Sequence, residues 1–211
     1  MKKRVWKIEY SLTFLVVFTV LLFMIPTSFS SKNANNISKW NEEYNKIEYM
    51  FSAMSAQENA EVAKSIKNSK DIEKREKYMM QLVKPYLRLK ERGKHHSRYH
   101  LHYMSGNHVG KDDIYNFDSI YESNDDVIVG IKDIDNRSEK DVVFMLMIDT
   151  NGYKKPNMWG VDIFGVDIYP TGKVAPLGSD WELDELRKDC SKSGSGISCS
   201  HFYRIGGEFN E

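Results

Sequence analysis

The sequence predicts an α+β fold in which an N-terminal helical region precedes a small antiparallel sheet. Three observations point there. An uncharged apolar run, SLTFLVVFTVLLFMI, spans Ser11 to Ile25. A helical stripe follows it, with Ile37, Trp40, Tyr44, Ile47, Phe51 and Met54 three and four residues apart. Three strand-length apolar segments then occupy the C-terminal half, at residues 127–131, 142–148 and 163–169.

The first element carries four positive charges, Lys2, Lys3, Arg4 and Lys7, ahead of the long apolar run. With Glu9 tolerated, that run extends from Ile8 to Phe29, and a helix of about 20 residues crosses a bilayer core. The basic flank is expected to stay in the cytoplasm and send the rest outward. Two readings of the segment stand. It is a retained anchor, or a cleaved secretory signal with Ser28 and Ser30 as the small residues at the cleavage site. Both place residues 31–211 outside the cytoplasm. Glu9 and Pro26 favour the anchor, because a carboxylate within a membrane segment usually has a partner or a task.

The stripe from Ile37 to Met54 has Lys39, Asn41, Glu42, Glu43 and Lys46 on its other face, so it predicts a helix docked on a core. A second helix is expected from about Asp71 to Lys90, with Ile72, Met79, Leu82, Val83, Tyr86 and Leu87 as its apolar side and Pro85 kinking or restarting it. Residues 93–126 read as loop, rich in Gly, Asn, Asp and Ser. His95, His96, His100, His102 and His108 fall there, which raises a zinc reading. Neither HExxH nor a Cys/His finger spacing accompanies them, so a solvated polar loop is the expectation.

Among the strands, Val142 to Ile148 is apolar throughout and should be buried on both faces at the sheet centre. Ile163 to Tyr169 alternates, with Phe164, Val166 and Ile168 on one face. Turn chemistry separates the strands at Asn151-Gly152 and Pro170-Thr171-Gly172, which suits an antiparallel meander. Between the last two strands, Asp149, Asn151, Asn157 and Asp162 gather hard oxygen atoms on one loop. Asp149, Asn151 and Asp162 are candidate calcium ligands; the alternative is a turn bonded to itself. The loop lacks the spacing and distal glutamate of an EF-hand. The only cysteines, Cys190 and Cys199, lie close together, and in an exported chain they are expected to form a disulfide.

The bulk numbers limit function. The 211 residues suit one domain plus an anchor. Thirty basic and thirty acidic residues cancel, which argues against a nucleic-acid partner. Mean hydropathy is −0.54, so the apolar N-terminus is offset by a polar remainder. No G-x-S-x-G, Walker A or G-x-G-x-x-G pattern is present, so no enzymatic role and no cofactor is expected.

The stretch Ile148 to Phe164 closely resembles a signature of bacterial pilin-like, type II secretion-related globular domains. Asp149, Asn151, Gly152, Pro156, Asn157, Gly160, Asp162 and Phe164 occupy its fixed positions. The run Gly172 to Gly178 and the ending from Cys190 to Gly207 continue the likeness. Glu9 and Pro26 also share the spacing of a glutamate and a proline in the anchor helix of type IV pilins and pseudopilins. The resemblance implies a long N-terminal helix whose second half packs on the sheet, with Glu9 registering new subunits during assembly. It also implies other pilin or pseudopilin subunits as partners, and calcium in some members. The expected organisation is a leader and transmembrane helix over 1–30 and an exported domain over 31–211. The chain would sit in the inner membrane as a single-pass protein, its N-terminus cytoplasmic. Where the family's leader junction has Gly-Phe, this chain has Arg4-Val5. That difference supports a second reading, a tethered envelope binding domain of pilin ancestry that does not polymerise.

Overall fold

The structure is a computed structural model that describes residues 2–57, 72–90, 99–117, 119–134 and 142–208. Within the first helix, the side chains of residues 2–9, 11–12 and 21–32 lie outside the described set, so those of Glu9 and Pro26 do too. The chain divides into two compact units, Met1–Asn35 and Asn36–Glu211.

Helix α1 runs Lys2–Gln57. In the first unit its described apolar side chains face solvent on every side, from Phe14 at 73% exposed to Val20 at 49%. Thr19 turns its hydroxyl back on the carbonyls of Leu15 and Val16, at 3.0 and 2.9 Å. Among the described residues, no helix is long and apolar enough to cross a membrane.

In the second unit, α1 supplies the spine of the core. Trp40, Tyr44, Ile47, Met50, Phe51 and Met54 are buried, and Ile37 packs beside them. Helix α2, Ile72–Leu87, adds Met79, Met80, Val83 and Leu87 to the same cluster. Pro85 sits inside α2 without interrupting it. A proline forfeits one N–H and crowds the preceding turn, but here the helix stops two residues later, so little ladder is lost. The expected extension to Lys90 is replaced by a strand.

The sheet has six antiparallel strands in sequential order. They are β1 Leu89–Lys90, β2 Ser119–Ser123, β3 Ile128–Asp133, β4 Phe144–Asp149, β5 Ile163–Ile168 and β6 Val174–Pro176. The expected three-strand meander is its centre. Strand β4 is buried along its whole length, with Phe144, Leu146 and Ile148 toward the helices and Met145 and Met147 toward the opposite face. That opposite face is covered by residues from the 99–117 segment, including Leu101 and Phe117, with Trp159 and Leu177. Strand β2 lies in the stretch expected to be loop. Its Ser-Ile-Tyr-Glu-Ser sequence is mostly half-buried, and it is a strand because β3 supplies its ladder partners.

A buried ion pair ties α2 to the sheet, with Arg75 Nε donating to the Asp133 carboxylate. Beside it, the Ser119 hydroxyl donates to Glu76 at 2.8 Å. Two further helices, α3 Leu183–Asp189 and α4 Cys199–Phe202, form the C-terminal lobe of this unit.

Candidate functional site

The loop between β4 and β5 is organised by two buried carboxylates. Asp162 accepts the side-chain amide of Asn151 at 2.8 Å, the N–H of Asn157 at 3.0 Å and the N–H of Met158 at 2.6 Å. Its own carbonyl takes the Thr150 N–H at 2.8 Å and the Thr150 hydroxyl at 3.0 Å. Asp149 accepts the Asn151 N–H at 3.0 Å on one oxygen and the Tyr99 hydroxyl on the other. Asn157 adopts φ +53° and Gly152 φ +72°, conformations that Asn and Gly tolerate best. The loop is thus a turn bonded to itself, as one of the two sequence readings had it.

N–H and O–H donors engage the Asp149 and Asp162 carboxylates, while the side-chain oxygens of Asn151 and Asn157 are buried without a hydrogen-bond partner. Among the described residues, no group of three or more His, Cys, Asp or Glu side chains is placed to hold a metal ion. Of the five histidines behind the zinc reading, His95 and His96 lie outside the described residues, while the rings of His102 and His108 lie 4.3 Å apart between centroids, tilted at 43°. Burial, and then the charges of His108 and His100, hold His102 below the usual histidine range.

Burial also sets the electrostatics of the loop. It lifts the Asp162 carboxyl from 3.8 to about 6, against the lowering effect of its N–H partners. Asp149 is pushed well above the ordinary carboxylate range, first by burial and then by the Asp162 charge.

The other motif residues serve packing. Pro156 follows a cis peptide bond at the loop's turn. Phe164 leaves the loop for the helical side of β5, where its ring stacks on Trp40 at a centroid distance of 5.2 Å. Gly160 has φ +79°, and a Cβ there would lie 2.7 Å from Cys199 Sγ and 2.8 Å from the Gly196 carbonyl. Gly160→Ala is therefore expected to cost about 2–4 kcal/mol, from positive-φ strain plus overpacking. A lowered midpoint of denaturant unfolding, with an unchanged slope, would show it.

Cys190 and Cys199 form the expected disulfide. It closes the loop against Gly160 and positions the C-terminal lobe. Trp40 Nε1 donates to the Ser200 carbonyl at 3.0 Å, and the Gly165 N–H donates to Ser200 Oγ at 2.9 Å. The Tyr203 hydroxyl donates to the Gly160 carbonyl at 3.2 Å. Asp189 organises the loop from within, accepting the N–H groups of Ser195 and Ser198 at 2.9 Å each. None of Ser200, Tyr203, Asp189 or Tyr99 stands out in the sequence. Each is a common polar residue, and the roles of Ser200, Tyr203 and Tyr99 depend on partners far along the chain.

With this geometry in view, comparison with known proteins adds no relative. No protein-family model, curated protein or solved structure matches the chain.

Proposed function

We propose that this chain is a membrane-anchored, pilin-like structural subunit of a type II secretion or type IV pilus-type assembly, without catalytic activity. One observation carries the reading. A single helix, Lys2–Gln57, has an apolar stretch exposed on all sides at residues 13–20 and a deeply buried amphipathic stretch from Trp40 to Met54. A helix that is apolar all round needs an apolar solvent, and lipid is one. The hydroxyl of Thr19, satisfied by its own backbone, suits that environment. The likeness of the Asp149–Phe164 loop to the pilin-like signature supports the same reading.

Two measurements test it. The full-length chain should remain in the membrane fraction through alkaline carbonate washing, and Leu15→Arg with Val17→Arg should release it. Glu9→Ala should abolish incorporation into any assembly while leaving the circular dichroism spectrum and unfolding midpoint unchanged. Normal assembly by Glu9→Ala would sink the subunit role.

The stretch Arg4-Val5-Trp6-Lys7, standing where the family's leader junction would be, favours a second reading, a tethered binding domain that does not polymerise. Mass spectrometry of the mature N-terminus separates the two. Cleavage after Arg4 supports a working subunit, and an intact N-terminus supports the tethered domain.

A further inference from the structure

The segment from Asp189 to Arg204 is tied to α1, β5, the motif loop and the 99–108 segment through bonds that are distant in sequence. On α1 it meets Trp40 through Ser200, and Arg204 Nη1 donates to Asn45 at 2.9 Å while its guanidinium lies 4.0 Å over the Tyr44 ring. On β5 it meets Gly165, and on the motif loop it meets Gly160. On the 99–108 segment, the N–H groups of Met104 and Ser105 donate to the carbonyls of Ser195 and Gly194, at 2.9 and 3.0 Å. The segment's own secondary structure is slight. Its one helix, Cys199–Phe202, has four residues and does not persist alone in water. Its shape depends on the covalent link and on Asp189.

We propose that the Cys190–Cys199 pair is a redox latch: its oxidation seats the C-terminal lobe on α1 and the motif loop, and its reduction frees that lobe while the sheet stays folded. The chemistry is thiol–disulfide exchange with a disulfide-bearing oxidant. One cysteine thiolate attacks the oxidant to give a mixed disulfide, and the second displaces it. Two protons are lost, and the oxidant leaves as a dithiol carrying the two electrons. A dithiol reductant runs the same steps backward.

The latch protects itself once closed. Cys190 is 3% exposed and Cys199 fully buried, with Gly160 and Met104 packed over the bond. An attacking thiolate needs a line to one sulfur, so reduction has to wait for the lobe to open. Opening also uncovers the stacked pair of Trp40 and Phe164, which Tyr203 of the lobe otherwise meets edge-on. The latch therefore sets whether that pair is available, and it does so independently of the anchor reading.

Amide hydrogen exchange on the full-length chain tests the proposal. Oxidised protein is compared with Cys190→Ser/Cys199→Ser and with wild-type protein reduced by dithiothreitol. The amides of Gly165, Met104 and Ser105 should exchange roughly 100-fold faster without the bond, from the loop-closure entropy of a short cross-linked loop. The amides of Ile131 and Leu146, in the centre of the sheet, should keep their protection. In parallel, the rate of disulfide reduction should level off as dithiothreitol is raised, at the rate of lobe opening. The latch is overturned if all these amides accelerate together in both preparations, if none does, or if reduction stays proportional to dithiothreitol.

Discussion

Trp40→Ala is expected to destabilise the second unit by about 3–5 kcal/mol, the range for truncating a fully buried tryptophan. The indole is 0% exposed, lies parallel to Phe164 and meets Tyr44 edge-on at 5.7 Å. Its N–H also satisfies the buried Ser200 carbonyl, which the truncation leaves without that donor. Trp40→Phe separates the two contributions, since it keeps an aromatic ring and removes the N–H. It should cost about 1–2 kcal/mol, most of it from the lost bond and the smaller ring. Equilibrium denaturation followed by circular dichroism gives both values. If the two substitutions cost the same, the hydrogen bond dominates and the packing account fails.

Asp162→Ala should cost a similar amount, about 3–5 kcal/mol, by a different mechanism. It leaves the N–H groups of Asn157 and Met158 and the Asn151 amide facing an empty space. Asp162→Asn is expected to be milder, about 2–3 kcal/mol, because one acceptor survives while the new amide confronts a donor. The pH dependence gives an independent check. The folded carboxyl titrates near 6, above its ordinary 3.8, so the fold holds the proton more tightly than the unfolded chain does. That contribution is fully present below about pH 4 and is lost as pH rises through about 6. Asp149, also raised, adds to stability with the same sign. Stability attributable to this loop should therefore fall between pH 4 and 7. In Asp162→Asn the slope should flatten, since the titrating group is gone and the charge opposing Asp149 goes with it. A wild-type minus variant difference that widens with pH would contradict the burial argument.

The Trp40 contacts join residues far apart in the chain, whereas those of Asp162 lie within one loop. The period of Ile37, Trp40, Tyr44, Ile47, Phe51 and Met54 marks a buried helix face, because spacings of three and four repeat on one side of a helix. The alternation of Phe164, Val166 and Ile168 likewise marks the face of β5 that meets it. The unbroken apolar run of β4 gives away its place at the sheet centre. The disulfide joins the two nearby cysteines that the sequence paired.

Strands β1, β2 and β6 were not legible in this way. They are short and polar, or contain proline, and exist because a neighbour offers ladder partners. The end of α2 belongs with them, since Leu89 and Lys90 are drawn into the sheet by pairing with Ser123 and Glu122.

At the candidate site, the sequence by itself determined which residues make the turn: Asn and Gly where φ is positive, and two aspartates to collect N–H groups. Only the tertiary structure decided what those aspartates do. In the folded loop their carboxylates accept bonds from Asn151, Asn157, Met158 and Tyr99. It also decided why position 160 is glycine, since the sulfur of Cys199 comes within 2.7 Å of where its Cβ would stand. Local pattern fixes an element because it acts over a few residues of backbone. A hydrogen-bond partner or a close approach across the core depends on how those elements pack, and neighbouring residues in the chain do not encode it.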